Sequence, residues 1–196
     1  MKRLRASWAR LISDVLSPPV IWAVLAFPIA FREAETREAA LMWGVTYAVL
    51  VCALPVGYIA WMVSRGKITD IHMQVREQRI APFVVSLVCT AIAWSVLRLM
   101  GAPSLLPLFA LFSLIQLLIM LLVTLVWQIS MHVMSIACAV VTAGALFGPV
   151  PALALSPLIP VVGAARLKLR RHTLSQVIAG GVLGGVLTVL MFLAIA

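Results

Sequence analysis

Seven apolar runs, separated by short polar segments, decide what this chain can fold into. Of its 196 residues, 64% are hydrophobic, whereas a soluble domain is about 45–50% apolar. A run of about 20 apolar residues can cross a bilayer as a helix, which satisfies its own backbone hydrogen bonds there. The sequence therefore predicts an all-α integral membrane protein, a polytopic transmembrane helical bundle of about six to seven spans.

The predicted spans belong to one membrane domain, residues 1–196, preceded by a basic interfacial segment at residues 1–14. The fifth and sixth spans are short for a bilayer, and the last has four glycines at the small-xxx-small spacing of a close-packing face. The glycines are Gly180, Gly181, Gly184 and Gly185. The predicted spans are 15–31, 39–63, 82–100, 105–127, 133–147, 152–165 and 173–196.

Lysine and arginine are distributed unevenly between the two sides of the predicted bundle. With the N-terminus in the cytoplasm, twelve of the fifteen basic residues fall in cytoplasmic segments and three fall outside. This asymmetry is the positive-inside pattern. It predicts a bacterial plasma-membrane protein whose N-terminus is cytoplasmic. The same orientation puts His72, His132 and His172 on the cytoplasmic face.

Acidic residues are scarce, and none follows Glu77. A metal site made of clustered carboxylates is therefore disfavoured over most of the chain, and we expect no metal and no cofactor. Cys52, Cys89 and Cys138 lie inside apolar runs, where we expect them to be small buried hydrophobes. The net charge of +9 favours anionic lipid headgroups as partners and not nucleic acid.

Residues 165–176, here called the cationic hook, connect the sixth and seventh apolar runs. Four cations lie within six residues of this segment, and His172 follows them directly. The cations are Arg166, Lys168, Arg170 and Arg171. A cationic segment leading into a helix N-terminus favours an anion. A histidine at that point can act as a nucleophile or carry a proton.

The hook resembles the third signature of the type 2 phosphatidic acid phosphatase superfamily, which reads Ser-Arg, five residues, His, three residues, Asp. Arg166, His172 and Gln176 have this spacing. The segment Ile129-Ser130-Met131-His132 is similar to the second signature, Pro-Ser-Gly-His.

The first signature of the family is Lys, six residues, Arg-Pro, and His72 with Arg79 has its spacing. The resemblance covers residues 67–196. The sequence departs from the family pattern at six positions: His72 for lysine, Ile80 for proline, Ile129 for proline, Met131 for glycine, Ala165 for serine and Gln176 for aspartate.

The resemblance implies a role for each matching residue. His172 would attack phosphorus and form a phosphohistidine. His132 would protonate the leaving oxygen and later activate water. Arg79, Arg166 and Ser130, with backbone N–H groups near Ser130 at a helix start, would hold the phosphate oxygens.

Two further sets of residues complete the predicted site. His72 and Arg76 are candidates for additional phosphate contacts, with Arg76 the stronger cation because a histidine is mostly neutral at pH 7. Gln176 would orient His172 through its amide oxygen. Because no acid follows Glu77, Asp70 or Glu77 would have to supply any carboxylate that supports the site.

The expected function is a metal-independent phosphatase for a lipid phosphate or diphosphate: phosphatidate, phosphatidylglycerol phosphate, or a polyprenyl phosphate or diphosphate. An inactive lipid-phosphate binder or transport protein is the alternative, and a purely structural membrane protein is a third. The expected partners are a membrane lipid and the bilayer, and a homo-oligomer stays open.

Thiol labelling tests the predicted orientation. Single cysteines introduced at positions 64–81 should react with a membrane-impermeant reagent from the cytoplasmic side, because this polar loop contains four basic residues. The unsubstituted chain, with its three cysteines in apolar runs, measures the background. Labelling of the loop from outside would contradict the charge-based topology.

Overall fold

The structure, a computed structural model, describes residues 7–73 and 75–195, with only the backbone of Ile195. Lys2, Arg3 and Arg5 of the predicted basic segment lie outside the described residues, as does Ala196. Across the described ranges every regular element is a helix and none is a strand. The predicted all-α class is therefore confirmed.

Within the described residues, ten α-helices follow one another, with a π-helical segment at Ala48–Ala53 and a 3₁₀ turn at Glu77–Arg79. They are α1 Trp8–Val15, α2 Pro18–Glu33, α3 Arg37–Tyr47, α4 Leu54–Ser64, α5 Ile80–Leu99, α6 Leu105–Val126, α7 Met131–Phe147, α8 Pro149–Leu155, α9 Leu158–Lys168 and α10 Leu174–Ile195. The π-helical segment joins α3 and α4 without a break.

Five helical stretches are long and apolar enough to cross a membrane, counting only residues that the structure describes. They are Arg37–Ser64, Glu77–Leu99, Leu105–Val126, Pro149–Lys168 and Leu174–Ala194. Helices α1 and α2, bent by 45° at their junction, give a sixth if they form one span. Helix α7, with 17 residues, is shorter. The chain is thus a helical membrane protein with five or six candidate spans, compared with the predicted six to seven.

The chain divides into two compact units. The terminal unit contains the described residues up to Ile21 together with those from Gln128 onwards, and the central unit is Trp22–Trp127. Each unit is built around its own helix contacts.

In the terminal unit, α7 and α10 pack closely because two glycines of α10 face the backbone of α7. A Cβ atom at Gly180 would collide with the carbonyl of Ser130, and one at Gly184 with the carbonyl of Met134. Gly185 has no neighbour within 4 Å of such an atom. The predicted face of four glycines is therefore corrected to a pair, one helical turn apart, that carries the close approach.

Helix α1 is amphipathic and packs on the core of the terminal unit. Ile12 of α1 and Leu16, the C-cap that follows it, lie against a cluster of buried apolar side chains. The cluster comprises Val133, Ile136, Val162 and Val177. On the same face Ala9 and Ser13 are buried, whereas Trp8, Leu11 and Val15 are exposed. A short helix with this pattern is typical of interfacial segments, and the interfacial location predicted for residues 1–14 stays a prediction.

The central unit is held by an aromatic and hydroxyl core. The Tyr47 ring stacks on Phe109 with 5.3 Å between centroids. The Tyr47 hydroxyl lies 2.7 Å from Ser113 Oγ in a hydrogen bond. A carboxylate oxygen of Glu33 accepts from the Leu105 N–H at 2.8 Å, which caps the start of α6.

The paired glycines give a matched test of the α7–α10 contact. Gly184→Ala should destabilise the protein by about 1–3 kcal/mol, because its methyl group overlaps backbone that cannot move aside cheaply. Gly185→Ala has open space and should be neutral or stabilising by about 0.5–1 kcal/mol. Thermal unfolding in detergent micelles compares the two, and equal effects would refute this packing.

Candidate functional site

Five of the predicted site residues lie in the terminal unit: Ser130, His132, Arg166, His172 and Gln176. The other four, His72, Arg76, Arg79 and Asp70, lie in the central unit. The two sets are described separately.

Arg166 lies in the last turn of α9 and is one of the most deeply buried side chains of the protein, with 2% of its surface exposed. Its Nη1 donates a hydrogen bond to the Oγ of Ser13 at 3.0 Å. Ser13, from α1, is itself 1% exposed. A guanidinium at such a position is suited to recognising a carboxylate or phosphate.

His132 lies in the first turn of α7 and is 8% exposed. Its Nε2 lies 3.1 Å from the backbone carbonyl oxygen of Ser13. A carbonyl oxygen only accepts hydrogen bonds, so Nε2 is the donor and bears a proton. Ser13 is therefore shared: its hydroxyl binds Arg166 and its carbonyl binds His132.

Ser130 precedes α7 as its N-cap and is fully buried. Its carbonyl accepts from the Met134 N–H, and its own N–H donates to the carbonyl of Gln176 at 3.0 Å. The Ser130 N–H is thus bound within the protein, and the predicted phosphate contact of the neighbouring backbone N–H groups stays a prediction. The Ser130 Oγ has no hydrogen-bond partner among the described residues. Its hydroxyl therefore stays a candidate ligand for an anion at this positive helix end.

The cationic hook begins with a tight turn that ends α9. The Arg171 N–H donates to the Arg166 carbonyl at 3.1 Å, and the Arg170 N–H donates to the Leu167 carbonyl at 2.9 Å. This pair of bonds is a Schellman motif, with Arg170 in the left-handed conformation at a φ of 52°. The turn places His172, which is 8% exposed, just before the start of α10.

Gln176 forms a reciprocal capping box with Thr173 at the start of α10. The Gln176 Oε1 accepts from the Thr173 N–H at 3.0 Å, and the Gln176 N–H donates to the Thr173 Oγ1 at 3.4 Å. The amide oxygen that was expected to orient His172 is thus engaged in capping the helix. Its orienting role stays a prediction.

In the central unit, the predicted residues stabilise the loop that precedes α5. The Nε of Arg79, a buried side chain, donates to the carbonyl of Met73 at 2.8 Å. A carboxylate oxygen of Asp70 accepts from the His72 N–H at 2.7 Å. Arg76 pairs with Glu77 at 3.4 Å. The described contacts of Asp70 and Glu77 are therefore local, and their predicted support of the site stays a prediction.

Ser13 is the site residue that the sequence did not indicate. It stands in a segment that the family resemblance does not cover, and a single serine has no spacing signature. The pairing of Ala9 and Ser13 four residues apart was the available signal, since it marks a small, buried face of an amphipathic helix.

No protein-family model, curated protein or solved structure matches this chain. Within residues 7–73 and 75–195, no group of three or more His, Cys, Asp or Glu side chains is placed to hold a metal ion.

The hook turn has a conformational cost that a substitution can remove. Arg170→Gly should stabilise the protein by about 1 kcal/mol, because a Cβ atom is disfavoured in the left-handed region. The other two Schellman turns have glycine here, Gly66 and Gly101. Arg171→Gly removes the same charge without relieving the backbone, and should destabilise by about 0.5–1 kcal/mol. Thermal unfolding that ranks the two variants in the reverse order would contradict this assignment.

Proposed function

We propose that this chain is a metal-independent membrane phosphatase that hydrolyses a lipid phosphate or diphosphate through a phosphohistidine at His172. One observation carries the proposal: His132 and Arg166 converge on Ser13, inside the unit that also contains His172. Both side chains are buried. The spacing of the family signatures required an acid–base histidine and a phosphate-binding arginine at these positions, and their convergence supports the resemblance.

In the proposed reaction, a ring nitrogen of His172 attacks phosphorus while the bond from phosphorus to the lipid oxygen breaks. His132 gives a proton to that oxygen, so that the lipid leaves as an alcohol or, from a diphosphate, as a monophosphate. Water then attacks the phosphohistidine, with His132 accepting its proton. The bond between phosphorus and His172 breaks, which releases inorganic phosphate.

Arg166 supplies the charge that this reaction needs. Its guanidinium would bind the equatorial oxygens of the phosphoryl group, whose negative charge is largest as bonds form and break. The phosphate contact that the resemblance implies for Arg79, which lies in the central unit, stays a prediction. No acidic side chain follows Glu77. Cations and backbone dipoles, and not a metal ion, would therefore stabilise the negative charge on the phosphoryl oxygens.

The substrate class follows from the surroundings of the site. The neighbouring helices are apolar and long enough to span a bilayer, so the ligand is expected to have an acyl or prenyl tail. Phosphatidate, phosphatidylglycerol phosphate and polyprenyl phosphate or diphosphate all combine such a tail with the required headgroup.

A second candidate function is lipid-phosphate binding or transport without hydrolysis. The capping box favours it, because the amide oxygen of Gln176 is used at the start of α10 and carries no charge to stabilise a histidine cation. In a triad, neutralising the equivalent partner costs about 10⁴ in rate.

Phosphate release from lipids in detergent micelles tests the proposal. With a chelator present, the wild-type protein should release phosphate from at least one of the three lipid classes. His132→Ala should lower the rate by about 10²–10⁴-fold, the usual contribution of general acid–base catalysis, and His172→Ala should abolish it. Arg98→Ala, which removes an exposed arginine that stacks on Trp94, is the control and should keep full activity.

Binding measurements on the same samples separate the two candidate functions. Phosphatidate binding without release, unaffected by His172→Ala, would overturn the phosphatase and favour the binder. Release that depends on an added divalent cation would contradict the metal-independent mechanism.

A further inference from the structure

We infer that Ser13, contributed by the N-terminal helix, is a positioning residue of the candidate site, which is incomplete without α1. The inference rests on the proposed function for its catalytic meaning. It is carried by two hydrogen bonds from one buried residue, one to each of the two groups that would handle the phosphate.

The bond to Arg166 orients the guanidinium. Arginine has five N–H donors in a rigid plane, and the Ser13 hydroxyl holds one of them at 3.0 Å. A hydroxyl in this place orients the plane of the guanidinium and itself adds no negative charge. Ser13 thus fixes the orientation of the Arg166 side chain through a hydrogen bond to a neutral group.

The bond to His132 selects a tautomer. Because the Ser13 carbonyl accepts from Nε2 at 3.1 Å, the neutral ring has its lone pair on Nδ1. The proton exchanged with the lipid oxygen and with water is then the one on Nδ1, while Nε2–H stays with Ser13. A hydrogen bond to the far nitrogen is the usual way to set which ring nitrogen reacts.

Apolar packing and a cation–π contact hold α1 where Ser13 can serve both residues, and a cap stabilises the helix itself. Ile12 and Leu16 pack on the apolar cluster of the terminal unit. The Lys168 ammonium lies 4.9 Å from the centre of the Trp8 ring, a cation–π contact between α1 and the hook segment. The Ser7 Oγ accepts from the Arg10 N–H at 3.3 Å and caps the helix.

The opposite edge of α1 exposes Trp8, Leu11 and Val15. These side chains are those of a helix whose apolar edge inserts among lipid headgroups. In the proposed site the helix would contact the site residues on one face and lipid headgroups on another, which suits an enzyme whose substrate is a membrane lipid.

The alternative is that the two bonds only fasten α1 to the unit. A matched pair of substitutions separates the possibilities. Ser13→Ala removes the hydroxyl from Arg166 but keeps the backbone carbonyl for His132. Ser7→Ala loosens the same helix by removing its cap, and touches neither site residue. Ser13→Thr restores a hydroxyl.

The test measures phosphate release and phosphatidate affinity for the full chain in micelles. Ser13→Ala should lower kcat/KM about tenfold or more, as expected when a charged group loses a buried hydrogen bond. Ser7→Ala should stay within about twofold of wild type, and Ser13→Thr should recover most of the loss. Equal losses in Ser13→Ala and Ser7→Ala, or no loss in Ser13→Ala, would overturn the inference.

Two readouts keep this test apart from that of the proposed function. If the wild type releases no phosphate from any lipid, the phosphatase proposal fails, and phosphatidate affinity alone decides the role of Ser13. A weakening of about tenfold in Ser13→Ala, with Ser7→Ala unchanged, would then support positioning of Arg166, and an unchanged affinity would overturn it. Nitrogen NMR of the His132 ring should show the Nε2-protonated form, and the Nδ1-protonated form would contradict the second bond.

Discussion

The burial of the Arg166 guanidinium is the constraint on which the terminal unit depends. Removing such a charge from water costs several kcal/mol unless hydrogen bonds compensate, and Arg166 is only 2% exposed. Ser13 supplies one of those bonds from a helix that precedes Arg166 by more than 150 residues. The same residue binds His132, so the position of one short helix affects both groups that would handle a phosphate.

The rest of the terminal unit serves to bring these groups to one place. Gly180 lets α10 lie against the backbone at Ser130, where the Ser130 N–H binds the Gln176 carbonyl. The start of α7, with His132, is thereby held beside the start of α10. The hook turn connects Arg166 to His172 through a hydrogen bond between backbone groups of Arg166 and Arg171. Small-residue packing and backbone bonds thus position these segments of the terminal unit.

Hydropathy alone predicted the helical membrane fold and most helix bounds, because the length of an apolar run is a local signal. It did not predict the π-helical segment Ala48–Ala53, which has no marker inside an apolar run. The prolines at positions 18 and 19 explain why the first predicted span is preceded by a separate helix, with a 45° bend. For the site, motif spacing selected Ser130, His132, Arg166 and His172, but Ser13 depends on tertiary contacts that no spacing encodes. The pattern Thr173-x-x-Gln176 is that of a capping box and indicates the capping role of Gln176. The family signature instead favoured a role in orienting His172.

The link between Ser13 and Arg166 is the central claim, and a double-mutant cycle measures it most directly. Unfolding free energies in micelles would be compared for wild type, Ser13→Ala, Arg166→Gln and the double variant. A coupling energy of about 1–3 kcal/mol is expected for a buried hydrogen bond to a charged group. Additive effects of the two substitutions, with no coupling, would contradict the claim that α1 completes the site through this bond.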